Sequence, residues 1–180
     1  MASKVSLKIN LMTLANSMYS GSARRAVQPI IANRSVKAEF GRRVIDRIIE
    51  RTQESNIDKK GKQFTGYSES YVKSLAFDIY GKSKSDVNLT LTSEMLSNMQ
   101  VTSIDSRGVE ISFPSQDQND KAHGHINGIP RKYGKTKGKV VRDFFGLPEK
   151  EQQDILKETI RDFNDESFDF GAAQTNIENI

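Results

Sequence analysis

The stretch RSVKAEFGRRVIDRIIERTQES, residues 34–55, sets the architecture. Phe40, Val44, Ile48 and Thr52 recur at every fourth position, and Val36, Ile45 and Ile49 widen the stripe. An α-helix turns once in about 3.6 residues, so these side chains share one face. Arg42, Arg43, Asp46, Arg47, Glu50 and Arg51 occupy the other side. The pattern predicts a long amphipathic helix whose stripe enters a core rather than forming a groove for a partner. DKKGKQFTG, residues 58–66, is too rich in Lys and Gly to continue it and reads as a loop.

Upstream, Val5, Leu7, Ile9 and Leu11 alternate with Ser6, Lys8 and Asn10, the period of a half-buried strand. Residues 16–22 read as a loop, and Pro29 is expected early in the segment that follows, where a helix tolerates it. Downstream, Ser68 reads as the cap of a short helix with Tyr71, Leu75 and Ile79 on one side. Residues 81–86 read as a polar loop, and residues 93–96 as one helical turn after Leu89 and Leu91. Met99 to Ile104 and Val109 to Phe113 read as a β-hairpin turning at Ser106-Arg107-Gly108. Residues 114–119 and the Gly-rich 121–139 show no period and read as loops. Phe144-Phe145-Gly146-Leu147-Pro148 leads into a second helix, with Pro148 near its first turn and Glu149 and Glu151 at the positive end of its dipole. Ile155, Leu156, Thr159, Ile160 and Phe163 form its inner stripe. The expected fold is α+β: a small antiparallel sheet packed against two main helices, with extended N- and C-terminal arms. Residues 1–35 are expected as an N-terminal extension of strand and loop, 36–163 as the α+β domain with a basic loop at 121–142, and 164–180 as an acidic tail.

Composition narrows the function classes. The 180 residues contain no Cys, so disulfides, thiolate metal sites and cysteine nucleophiles are excluded. No uninterrupted apolar run exceeds three residues, against the roughly 20 that a membrane-spanning helix needs. Lys4 and Lys8 precede no apolar leader core, and a cytosolic origin is expected. The net charge of +4 is zoned: residues 1–66 carry +8, 67–120 carry −4, 121–142 carry +7 and 143–180 carry −7. Alternating blocks of opposite sign suit a chain that docks with copies of itself or with a charged neighbour.

Catalytic and cofactor patterns are sparse. His123 and His125 stand as H-x-H with Asp117 and Asp120 upstream, but a catalytic metal needs about three ordered ligands, and they read as surface or turn histidines. No Ser lies in G-x-S-x-G. Gly134-Lys135-Thr136 ends like a phosphate-binding loop, yet the required upstream Gly falls on Ile129. No enzyme, metal or cofactor is expected. Arg131, Lys132, Lys135, Lys137, Lys139 and Arg142, with Tyr133 among them, form the candidate interface or DNA-channel loop, since Lys and Arg can neutralise phosphates without reading sequence.

Read in order, several short motifs resemble the phage virion-morphogenesis family of tail-completion and neck proteins. They begin at Phe40-Gly41-Arg42-Arg43-Val44-Ile45-Asp46-Arg47-Ile48 and Arg51-Thr52, and continue through Gly61-Lys62-Gln63-Phe64, Tyr67-Ser68 and Tyr71. Leu89-Thr90-Leu91-Thr92-Ser93-Glu94-Met95-Leu96 is similar to the family's "dLtlTGeML", with Ser93 in place of its Gly. After Val109-Glu110-Ile111 comes Ala122-His123-Gly124-His125. Arg142-Asp143-Phe144-Phe145-Gly146-Leu147-Pro148 resembles "R-x-F-x-G-L" before a final helix. The likeness spans about residues 36–163, and the basic loop is longer than the family pattern. Phe40, Val44, Ile48, Met95, Leu96, Phe144, Phe145 and Leu147 are its core and motif positions. The resemblance implies a non-catalytic structural virion protein, made in the host cytoplasm, that assembles as a six-fold or twelve-fold ring at the head–tail junction. Its implied partners are neighbouring neck, connector and tail proteins, with transient DNA contact in the channel and no membrane. The alternative reading is a non-specific nucleic-acid-binding protein that uses the 121–142 loop.

Overall fold

A computed structural model describes residues 4–67, 69–84, 87, 89, 94–130 and 139–165. The 34–55 stretch forms helix α3 (Arg34–Glu50), continued by one π-helical turn (Arg51–Ser55) that ends at Asn56 in the left-handed conformation. Val36, Phe40, Val44, Ile48 and Thr52 are fully buried, as the four-residue spacing requires. Asn33 starts the helix, its side chain accepting a hydrogen bond from the Ser35 N–H at 2.8 Å.

Before α3 run strand β1 (Ser6–Asn10), helix α1 (Leu11–Met18) and helix α2 (Gly21–Ala32). The loop expected at 16–22 is therefore only the Tyr19–Ser20 junction between two helices. The Asn10 side chain caps α1 by accepting from the Thr13 N–H at 2.9 Å. Leu11, Leu14, Ala15, Val27 and Ile31 are buried, so this segment supplies core as well as a strand. Pro29 lies in the last turn of α2 rather than early in it; there it deletes a single helical hydrogen bond next to the break at Asn33.

After α3 come the short helices α4 (Glu69–Val72), α5 (Leu75–Ile79) and α6 (Glu94–Ser97), then strands β2 (Gln100–Ile104) and β3 (Gly108–Ser112). The main sheet is antiparallel in the order β1-β3-β2, with Leu7 opposite Ile111 and Ile9 opposite Val109. The expected hairpin is its β2–β3 half, with an irregularity between Val101 and Ser103. Its turn is fixed by Asp105, whose carboxylate accepts from the Arg107 and Gly108 N–H groups, and by Lys37, whose ammonium donates to the Asp105 and Ser106 carbonyls. Helix α3 crosses the sheet at Gly41, where an added Cβ would lie 2.5 Å from a Val101 methyl. Only Gly permits that approach.

Helix α7 (Gln116–Asn127) occupies most of the region expected as loop between 114 and 128. Strands β4 (Ile129–Pro130) and β5 (Lys139–Val140) pair antiparallel beyond it, and helix α8 (Glu149–Phe163) follows. Helix α8 buries Ile155, Leu156, Thr159 and Ile160 and runs antiparallel to α3. Its start faces Arg51 through Glu151 at 4.0 Å, and its end meets Arg43 through Asp162 at 2.8 Å. The fold is α+β, with the small sheet on one side of α3 and the helices on the other.

Candidate interaction site

The motif residues converge. Phe40, Val44, Ile48, Met95, Leu96, Phe144, Phe145 and Leu147 are all buried in one cluster. Phe113, Phe144 and Phe145 pack ring against ring, with 5.1 Å between the Phe113 and Phe145 centroids. These positions build the frame and are not free to contact a partner.

Arg51 departs from its expected solvent side. It is buried, and its Nη2 donates to the carbonyls of Phe144 at 3.0 Å and Gly146 at 2.6 Å. One guanidinium thus ties the end of α3 to the Phe-Phe-Gly-Leu segment. Burial lowers its pKa, with Glu151, Asp58 and Asp143 acting in the opposite direction. Within α3 itself Glu39 is buried as well as Lys37. Burial raises its pKa, but hydrogen bonds and charge from Arg42 and Arg43 outweigh this and leave it lowered.

The candidate cationic loop divides into parts. Lys139 is exposed on β5. Arg142 is buried, a correction to its place among the solvent-facing cations. Its Nη2 donates to the Thr65 carbonyl at 3.2 Å, its guanidinium lies 5.6 Å from the Tyr67 ring centroid, and its N–H donates to the His125 carbonyl at 2.8 Å. Arg131, Lys132, Lys135 and Lys137 fall outside the described residues, as do Ser68, residues 91–93 and the tail beyond Asp165. The histidines sit on α7, where a two-residue spacing turns them to different sides. His125 is not a surface group: burial, then the Arg142 charge, lower its pKa to about 4. Among the described residues no three His, Asp or Glu side chains group to hold a metal, and no helix is long and apolar enough to cross a membrane.

A second basic element stands beside Arg142. Asp58 folds residues 58–62 into a tight turn by accepting from the Lys60 and Lys62 N–H groups at 2.8 and 2.9 Å. The Lys59 N–H donates to the Asp143 carbonyl at 2.8 Å, and its ammonium meets the Asp143 carboxylate at 2.9 Å. Lys60 and Lys62 point outward. An open cleft of about 320 Å³ lies across the sheet at Lys8, Asn10, Asp105, Arg107 and Glu110. Of the charges lining it, Lys8 pairs with Glu110 at 3.6 Å and Asp105 holds the hairpin turn.

The surface that sequence reasoning missed is α5. Tyr71, Leu75 and Ile79 are expected on one side of a single short helix; instead Phe77 turns inward against Tyr67 and Tyr71, at 5.7 and 5.5 Å between centroids. Leu75 and Ile79 are left 74% and 68% exposed, with Tyr80 at 49%. A five-residue helix can bury one such position, and the aromatic one wins because its two aromatic neighbours already face it. The signal available in the sequence was Tyr67, Tyr71 and Phe77 close together. No family model, no curated protein and no solved structure matches the chain.

Proposed function

We propose that the chain is a structural virion protein of a phage head–tail junction, with tail completion ahead of tube termination or head closure. In this reading it assembles as a ring that joins tail to head and surrounds the DNA channel, without catalysis. The observation that carries the reading is the order of the resembling motifs together with their meeting place. The FGRRVIDRI, ML and RDFFGLP segments, distant in sequence, share one buried cluster, and Arg51, just beyond the first, is hydrogen-bonded to the last. This supports treating them as one inherited frame rather than separate coincidences. Fold alone would not assign the role. The zoned charge adds a means of assembly: the +7 block of residues 121–142 on one protomer faces the −7 block of residues 143–180 on the next, a head-to-tail contact that closes into a ring.

Reversing Lys135, Lys137 and Lys139 to Glu is expected to abolish the ring, read as mass by light scattering after size exclusion. Unchanged assembly would sink the charge-pairing part. Cryo-EM of particles, with no density for this chain at the junction, would sink the location. The second reading, non-specific nucleic-acid binding, is favoured by the Lys60–Lys62 turn fixed beside Asp143. Tight, salt-sensitive binding of duplex DNA by the isolated chain would favour it over the ring.

A further inference from the structure

We propose that Asn127-Gly128, where α7 ends, is a self-modifying site at which the Asn127 carboxamide is lost as ammonia through a cyclic imide. Asn-Gly occurs nowhere else in the sequence. The reaction needs a solvent-accessible Asn side chain, a following amide nitrogen free to attack it, and no side chain shielding that nitrogen. Asn127 is exposed, and Gly128 has no side chain. The Gly128 N–H has no hydrogen-bond partner among the described residues. By contrast, the residues that close α1, α2, α3 and α8 each donate back into their helix.

Other asparagines lack that combination. After Asn10, Asn98 and Asn164 the next N–H is engaged, donating to the carbonyls of Arg107 at 3.0 Å, Leu96 at 3.2 Å and Asp162 at 3.2 Å. Asn16 is followed by the small Ser17 but lies inside α1, where the Ser17 N–H belongs to the helical ladder. The fold also dictates the glycine. Gly128 has a φ of 92°, and an added Cβ would lie 2.6 Å from the Lys139 Cβ, so β5 reaches this position only past a glycine. Packing thus demands the residue that makes Asn127 labile. The Asn127 Nδ2 donates to the His123 carbonyl at 3.1 Å, so ring closure waits for the last turn of α7 to fray. Gly124 weakens that end of the helix.

The Gly128 nitrogen bonds to the Asn127 Cγ, the Cγ–Nδ2 bond breaks, and the proton of Gly128 passes through solvent to the departing ammonia. Water then opens the imide at either carbonyl, giving aspartate or isoaspartate, and no other reactant is consumed. Both products set a carboxylate at the negative end of the α7 dipole, where it is unfavourable. Isoaspartate also lengthens the main chain by one carbon directly ahead of β4. Ile129 and Pro130 there pair with Val140 and Lys139, so the added atom disturbs the register of the ribbon. Ageing at Asn127 therefore loosens the connection between α7 and the segment that carries Arg142. The inference is independent of the virion and ring readings above.

The test incubates the full-length chain in mildly alkaline buffer and follows it by peptide mass spectrometry that separates aspartate from isoaspartate. Modification is expected at Asn127 about ten-fold faster than at Asn16, because only glycine leaves the attacking nitrogen unshielded. Isoaspartate is expected as the major product, and the Asn127→Gln chain should keep residue 127 unaltered over the same period. In the aged wild type, amide hydrogen exchange in β5 should rise; in N127Q it should not. Equal rates at Asn127 and Asn16 would overturn the site. So would an Asn127 that stays intact in the folded chain but is lost from the chain unfolded in urea. Aspartate without isoaspartate would overturn the imide route, and unchanged β5 exchange in fully modified chain would overturn the effect on the ribbon.

Discussion

Helices α3 and α5 both carry apolar residues four apart, yet they end in opposite environments. In α3, Phe40, Val44 and Ile48 are sealed between the sheet and α8. In α5, Leu75 and Ile79 face outward and only Phe77 turns in. The difference is length and neighbours. Seventeen residues of α3 present several turns to two packed layers, and Arg43 and Arg51 fix α8 against it at both ends. Five residues of α5 rest on two tyrosines. A periodic stripe says which side chains share a face, and the partner decides whether that face is core or contact surface.

That contrast can be broken most strongly at its buried end. Phe40→Ala should cost about 3–5 kcal/mol, through lost transfer energy and the cavity left behind, measured as a drop in unfolding free energy in urea. Arg51→Met should cost about 2–4 kcal/mol, because the Phe144 and Gly146 carbonyls would be left buried without their donor. An unaltered denaturation midpoint would mean that the Arg51 tie is dispensable.

The boundary between the two regions has a pH signature. His125 is held uncharged, with its pKa lowered from 6.5 to about 4, so the unfolded chain binds a proton first as pH falls. Its contribution is full above pH 6.5 and is lost down to about pH 4, on the order of 2 kcal/mol once solvent access is allowed for. His125→Gln should flatten the stability curve in that window; equal slopes in variant and wild type would refute the assignment. The smallest effect is expected at the exposed end. Leu75→Asp with Ile79→Asp should change monomer stability by no more than about 0.5 kcal/mol in chemical denaturation. A loss as large as that of Phe40→Ala would show that α5 is core after all.

Legibility in the sequence followed the range of the interactions involved. The α3 stripe, the 99–113 hairpin and the α8 stripe were readable because each declares itself within about twenty residues, through period, turn chemistry or caps. From sequence, helix α7 reads as loop, and α1 and α2 fall within an extension of strand and loop. Helix α7 contains Asp117, Asn119, Asp120 and Gly124, poor helix formers on their own, and buries Ala122 fully against its surroundings. Arg142 passed for a surface cation because its partners, the Thr65 carbonyl and the Tyr67 ring, lie some seventy-five residues away. Charged residues enter a core only when such partners arrive, and one-dimensional order cannot announce that arrival.

The sequence by itself determined which faces are apolar, where the main hairpin turns and how charge alternates along the chain, since these are set by neighbours a few positions apart. The tertiary structure alone decided that the segment from Ile9 to Ile31 joins the core, that Arg51 and Arg142 are buried and His125 half-buried, and that Leu75 and Ile79 are exposed. Each of those outcomes depends on groups brought together from distant segments, where burial of one side chain is settled by whether another covers it.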